Sequence, residues 1–325
     1  MQDAQGDQQA PLGVLFDSSL NGGVDQILAL AILFHAQETR RIRIASVSTG
    51  EFNLKNAAFL DAVARFYGGG GDGYSPSRRM LPVGMGTVGA RTDTAAPMVS
   101  GVLAREDSDG QPLYPHTIAD VNDTADAAAV IRNGLTAFQD QNAVIVLAGA
   151  PTNVLSLLDL PDGADWAVRK ARMLSIAGGR FDGGDPDPII QADVVGFRRL
   201  LAEWPTRIVM AGAELNTLTL PEGRILEEDS SDRPIVDAIR AFRPSPYDVP
   251  TRTLAAATYA IATEESDEYL ELSAPGIITV TDDGSTRFAP SFSGNHHYLM
   301  VRPDREEQVL QAYMTLLAQP PSEER

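Results

Sequence analysis

The chain has 325 residues, enough to bury a large core, and its 43% hydrophobic and 22% charged content is the balance of an ordinary globular protein. Asp+Glu at 44 exceed Lys+Arg at 26 for a net charge of -18, which argues against nucleic acid and anionic membrane surfaces as partners. The absence of Cys removes disulfides, thiolate metal sites and cysteine nucleophiles together, and no window approaches the roughly 20 apolar residues of a membrane span.

Residues 1 to 11, "MQDAQGDQQAP", are polar and Gln-rich and predict a disordered arm. No signal peptide is visible, yet such an arm is also what a removed one would leave, so a periplasmic or secreted and a cytoplasmic placement both stay open. The apolar run Leu12 to Phe16 predicts a strand that delivers Asp17 into the turn "DSSLNGGVD", with a helix from Val24 to about Gln37. "IRIASVS" (Ile42 to Ser48) predicts a second strand and "NLKNAAFLDAVARFYG" a second helix. Gly68 to Pro82 reads as a flexible loop and "LPVGMG" as a short strand. Thr87 to Asp123 carry little periodicity and predict a long irregular excursion, which in a compact domain is functional or mobile.

"TADAAAVIRNGLTAFQDQ" predicts a helix capped by Asp123 or Thr124. Ala143 to Gly149 is the clearest buried strand, followed by a helix with Pro151 in its early turn. "ARMLSIAGG" and "TRIVMAGAEL" predict two more strands around a helix near Asp193 to Glu203. "YLELSAPGIITVTDDGSTRFAPS" reads as a hairpin turning at Asp283-Gly284, "RPDREEQVLQAYMTLLAQ" as a C-terminal helix and residues 320 to 325 as a frayed tail. Short apolar strands without in/out alternation, interleaved with helices, predict one α/β domain over residues 12 to 319, its mostly parallel open sheet covered on both faces.

Ligands of open parallel sheets bind outside the carboxyl ends of the strands. Those ends hold residues 17–25, 48–53, 148–153, 178–193 and 212–216, which are rich in Gly, Asp, Asn, Thr and Glu and carry no cationic cluster. No GxxxxGK[ST] or GxGxxG phosphate cradle follows the first strand. A polyol or ribose pocket, or a hard cation held by oxygen ligands, suits this composition better.

The opening "LFDSSLNGGVDQILALAIL", followed in order by "VSTGEFNLKNAAFLDAV", "VIVLAGAPTNVLSLL", "MLSIAGG" and "EWPTRIVMAGAEL", resembles the nucleoside hydrolase family, the inosine-uridine preferring N-ribosyl hydrolases. That family opens on D-x-D-P-G-x-D-D, and the resemblance runs from about Leu12 to the C-terminal helix. It implies hydrolysis of an N-glycosidic bond around a calcium ion that binds the ribose hydroxyls and a water. It also implies the α/β fold just described.

Carried over position by position, Asp17 matches the first Asp of the motif and Asp25 the third, while the base-bearing second falls on Ser19 and the fourth on Gln26. The late Asp ligand falls on Thr253, with Arg252 beside it, and Asp248 lies nearby. Ala148 matches the residue that supplies a carbonyl. Glu51 or Asn53 falls near the ribose-contacting Asn, and Asp187 and Ile189 fall on an E-F-N stretch. Asp17 and Asp25 are therefore the candidate catalytic carboxylates. Ser19, Asn21, Gln26, Glu51, Asn53, Asn153, Asp187, Glu214, Arg252 and Thr253 are the candidate pocket. A retained calcium would use Asp17, Asp25 and the Ala148 backbone, but a hard dication wants more anionic oxygens than remain, so the expectation is no metal. The function expected is an N-ribosyl hydrolase with a rearranged site, or a non-catalytic protein binding a nucleoside or sugar-like small molecule, either open to homo-oligomer formation.

Plainer roles compete with these. Asp25 can favour a helix dipole while Asn21 or Asp17 orders the turn, and Gly22 and Gly23 can be turn formers. His296 and His297, adjacent on a strand, point to opposite faces and suit a surface strand better than one metal. His35 reads as a helix-rim residue, and His116 as the one His that could touch a substrate. Asp182, Asp185 and Asp187 read first as solvated loop charge and second as a shifted cation site. Trp166 and Trp204 read as packing residues.

Overall fold

Strand residues in the middle of this protein point alternately into two separate apolar cores. In the strand Ala143–Ala148, Val144, Val146 and Ala148 enter one core and Ala143, Ile145 and Leu147 the other, all fully buried. That is the pleat of a strand covered on both faces, which explains why its sequence shows no polar alternation.

The structure, a computed structural model, describes residues 10–21, 23–69, 80–228 and 233–317. Gly22, most of the arm expected at 1 to 11, most of the loop expected from Gly68, and the tail expected at 320 to 325 lie outside them. The strands are β1 (Leu12–Ser18), β2 (Ile42–Thr49), β3 (Val83–Met85), β4 (Ala125–Asp126), β5 (Ala143–Ala148), β6 (Ala171–Ala177), β7 (Arg207–Ala211), β8 (Thr219–Pro221), β9 (Asp248–Pro250), β10 (Leu270–Leu272), β11 (Gly276–Val280), β12 (Thr286–Pro290) and β13 (His296–Val301). The helices are α1 (Asp25–Glu38), α2 (Leu54–Gly69), α3 (Pro97–Leu103), α4 (Ala127–Thr136), α5 (Thr152–Asp159), α6 (Gly163–Lys170), α7 (Pro188–Ala192), α8 (Val194–Glu203), α9 (Glu222–Glu228), α10 (Pro234–Phe242), α11 (Arg252–Ile261), α12 (Thr263–Ser266) and α13 (Glu306–Leu317).

The main sheet runs β12-β11-β13-β7-β6-β5-β1-β2-β3-β4, and it is parallel from β13 through β7 to β4. Helices α1 and α11 pack together on one face, and α4, α5, α6 and α8 cover the other. Both α1 and α11 are buried nearly all round, and α1 accordingly shows no amphipathic stripe. Their amino ends open at the carboxyl end of the sheet, where β1 also delivers Asp17.

Four expectations need correction. The excursion from Thr87 to Asp123 contains α3, which starts with Pro97 in its first turn and buries Met98, Val99 and Val102 against α10. Seven residues are too few to display a helical period, so tertiary packing decides that segment. Asp126, not Asp123 or Thr124, caps α4: its side chain accepts the Ala129 N–H at 3.0 Å. Ala125 and Asp126 stay extended to pair with β3, and Asp123 instead closes a short 3-10 turn by accepting the Asp120 N–H at 2.7 Å. Pro151 stands just before α5 rather than inside it.

The fourth correction concerns the late strands. The hairpin is β11–β12, with Gly284 at φ +87 in its turn, whereas β10 pairs with β13. His296 lies in β13 beside β7 and is only 6% exposed, and its Nδ1 accepts the Ile278 N–H at 3.0 Å, so it is not a surface-strand residue.

Phe197 on α8 is fully buried in the second core. Phe197→Ala should lower unfolding free energy by about 3–5 kcal/mol, read from denaturant melts. A loss below about 1 kcal/mol would mean that α8 does not close that face.

Candidate functional site

Asp17 is the last residue but one of β1, in register with Ser48 of β2 and Leu147 of β5. Its carboxylate is 1% exposed, and Oδ1 accepts the Ser48 hydroxyl at 2.5 Å and the Asn153 amide at 2.8 Å. Asn153, on the first turn of α5, also donates to the Thr49 carbonyl at 3.0 Å. The second oxygen, Oδ2, is buried and has no protein partner. Burial pushes the Asp17 carboxyl up to about 6, against the pull of the Ser48 and Asn153 hydrogen bonds.

The turn after β1 is held by its own polar groups. Ser18 Oγ donates to Gln26 Oε1 at 2.7 Å and accepts the Leu20 N–H at 3.2 Å, with Leu20 in the left-handed region at φ 55. The Ser19 N–H donates to the Ala148 carbonyl at 3.1 Å, and Asn56 Nδ2 donates to the Ser19 carbonyl at 3.0 Å. A Cβ on Gly149 would lie 2.7 Å from Ser19 N, so only glycine lets this turn lie over the end of β5. The exposed Asn21 amide donates to the half-buried Glu51 carboxylate, whose pKa is raised by burial and lowered by that bond.

Asp25 opens α1 and is 5% exposed. The Thr253 hydroxyl, from the first turn of α11, donates to its Oδ2. Burial raises the Asp25 pKa; the Thr253 bond and the Arg252 charge oppose the rise. Arg252 Nη1 donates to Asp187 Oδ2 at 2.7 Å, with side chains 10% and 2% exposed. Asp187 also accepts the Gly179 N–H at 2.8 Å and, on Oδ1, the Ile189 N–H at 3.2 Å, which caps α7. Glu214 stands on the neighbouring loop: Oε2 accepts the Phe181 N–H at 3.2 Å, Oε1 is buried without a partner, and burial raises its pKa.

The sequence-predicted residues thus gather into linked groups. Asp17 joins Asn153; Ser19 joins Ala148; Gln26 joins Ser18; Asn21 joins Glu51; Asp25 joins Thr253, Arg252 and Asp187. Asn53 is fully buried and committed elsewhere. Its carbonyl oxygen accepts the Lys55 and Asn56 N–H groups, and its amide donates to Thr92 and Thr94. Asp248 is exposed on β9, and Asp182 and Asp185 are exposed in their loop. The Thr117 N–H beside His116 donates to Asp61, two turns into α2, away from the strand ends. Ser18, Ser48 and Asn56 were not singled out from the sequence. The Ser48 signal was a polar residue directly in register with Asp17 on the neighbouring strand. Among the described residues no cluster of three or more His, Asp or Glu side chains is placed to hold a metal ion, and no helix is long and apolar enough to cross a membrane.

This architecture is the nucleoside hydrolase fold. A plant nucleoside hydrolase superposes with a TM-score of 0.66 at 18% identity, covering 95% of this chain and 100% of its own. An inosine-uridine preferring nucleoside hydrolase from Bacillus anthracis gives 0.61 at 15% identity, with 94% and 99% covered. The type III effector protein XopQ, solved in complex with adenosine diphosphate ribose, gives 0.63 at 12% identity, with 95% and 94% covered. No family model matches the sequence, and no curated protein does.

Asp17 sets a test by pH. An acid raised from 3.8 to about 6 keeps its proton in the folded state where the unfolded chain has lost it, so stability falls as pH rises through that window. The penalty is absent below about pH 4, complete above about pH 6 and worth roughly 3 kcal/mol. Asp17→Asn removes the titration. In denaturant melts the variant should be about 1–3 kcal/mol more stable than wild type near pH 7 and no more stable near pH 4. A variant less stable near pH 7 would show that the ionised Oδ2 has a partner.

Proposed function

We propose that this chain binds a nucleoside or sugar-like ligand at the carboxyl end of its sheet, without calcium and with little or no N-glycosidic hydrolysis. The observation that carries this reading is the buried Arg252–Asp187 pair, with the same guanidinium acting on Asp25. A hard dication gathers several anionic oxygens. Here one of the two carboxylates of the opening motif is already served by a hydroxyl and a fixed positive charge. The Ala148 carbonyl accepts the Ser19 N–H, and the Gln26 oxygen accepts the Ser18 hydroxyl. The donor set therefore does not fit calcium. The position of the resembling family's general base holds Ser19, whose side chain brings no carboxylate.

What remains suits a neutral ligand rich in hydroxyls. Asp17 Oδ2 is an acceptor waiting for a donor, and Glu51 and Glu214 add carboxylates on neighbouring loops. The complex of XopQ with adenosine diphosphate ribose supports a ribosyl group as the ligand class on this fold. One observation favours a second reading, a rearranged hydrolase. An unpartnered carboxylate oxygen with a pKa of about 6 is a competent proton acceptor near neutral pH, so Asp17 could take a proton from a water without a metal.

Calorimetry with D-ribose, inosine and uridine separates these readings. The expected result is binding heat without calcium, unchanged by chelator, and release of free base close to the uncatalysed rate. Turnover that survives chelator but is lost in Asp17→Asn would favour the second reading. Rapid turnover abolished by chelator would overturn both, and no heat from any of the three compounds would remove the ligand class.

A further inference from the structure

Arg252 stands at an unfavourable place for a cation. It begins α11, where the helix dipole presents positive charge, so local helix electrostatics work against a guanidinium there. Stability does not explain it either, because a buried ion pair roughly breaks even against apolar residues of similar volume. Its hydrogen-bond accounting is also incomplete. Nη1 is bonded to Asp187 at 2.7 Å, whereas Nε is buried with no partner. What fits the position is Asp187, paired with the guanidinium and held rigid by the Gly179 and Ile189 amides, with Asp25, held by Thr253, near enough for the guanidinium charge to act on it.

We propose that Arg252 is the resident cation of the strand-end site: its guanidinium takes the electrostatic place of a bound dication beside Asp187 and Asp25, and its Nε is the donor offered to a hydroxyl oxygen of a furanose ligand. The first half deepens the calcium-free part of the reading above, and the second half rests on its ligand-binding part. The guanidinium supplies charge that cannot dissociate and that no chelator removes. It is planar, so one edge can hold Asp187 while Nε points elsewhere. A lysine at this position would keep the charge and lose that second direction.

The two halves separate by substitution, using the full chain with calcium chloride alone and D-ribose alone as probes. Wild type should show no calcium-dependent change in Tm. Arg252→Lys should also ignore calcium, because the charge remains. Its ribose affinity should fall about tenfold or more, the worth of a hydrogen bond from a charged donor. Arg252→Gln leaves Asp25 and Asp187 without their counter-charge, so calcium should raise its Tm by binding the folded state. If Arg252→Gln does not fold alone, its refolding yield with calcium against chelator gives the same answer.

A Tm or refolding yield of Arg252→Gln indifferent to calcium overturns the resident-cation half, as does a calcium response in wild type. Unchanged ribose affinity in Arg252→Lys overturns the Nε half. Wild type that takes no ribose at all sinks the ligand-binding reading and the Nε half with it, while the calcium response of Arg252→Gln still decides the other half.

Discussion

The hydroxyl of Thr253 donates to the carboxylate of Asp25 where α1 and α11 begin side by side. Both helices are buried nearly all round, so their amino ends cannot be solvated freely, and whatever lies between them must balance its own charge. Two residues of α11 do this together. Thr253 satisfies Asp25, and Arg252 reaches across to Asp187 on the loop after β6. That clasp ties the starts of α1, α7 and α11 to one another. An Asp at the position of Thr253 would bring a further carboxylate into the same desolvated space and would need a cation from outside.

The turn after β1 shows the same economy of charge. Ser19 lies over β5 because Gly149 has no side chain and because Ser19 N–H and C=O are both taken, by Ala148 and Asn56. Ser18 and Gln26 satisfy each other. Backbone and neutral side chains thus supply these bonds of the turn, and Asp17 beneath it is left with one oxygen that has no protein partner.

Much of this was legible in the sequence where the signal was local. β1 and β5 are continuous apolar runs, and the positions of Asp17, Asp25, Arg252 and Thr253 follow from motif order. The resemblance alone brings Asp25 and Thr253 to one site; no local pattern shows the contacts themselves, because Asp187 is 65 residues from Arg252 and Asp25 is 228 from Thr253. α3 escaped notice because its apolar face is defined by α10, more than a hundred residues later. The place of β13 between β7 and β11 likewise depends on a crossover that no short window contains. Asn53 differs in another way: the resemblance sets Glu51 or Asn53 near a ribose-contacting Asn, and in the structure the Asn53 side chain caps α2.

The unspent hydrogen-bonding capacity of the site bears on the kind of molecule that the proposed reading would place there. Among the described residues, the buried unpartnered atoms at the strand ends include the acceptors Asp17 Oδ2, Glu214 Oε1 and Asn216 Oδ1 and the donors Arg180 Nε and Arg252 Nε. Acceptors outnumber donors, and two of them are carboxylate oxygens. A phosphate placed there would meet like charge and bring more acceptors, leaving the same atoms unsatisfied. A neutral polyol brings hydroxyls that donate to the carboxylates and accept from the guanidinium. Each ligand hydroxyl can therefore fill one vacancy of each kind, and in the proposed reading the sugar carries the recognition while any anionic extension stays outside.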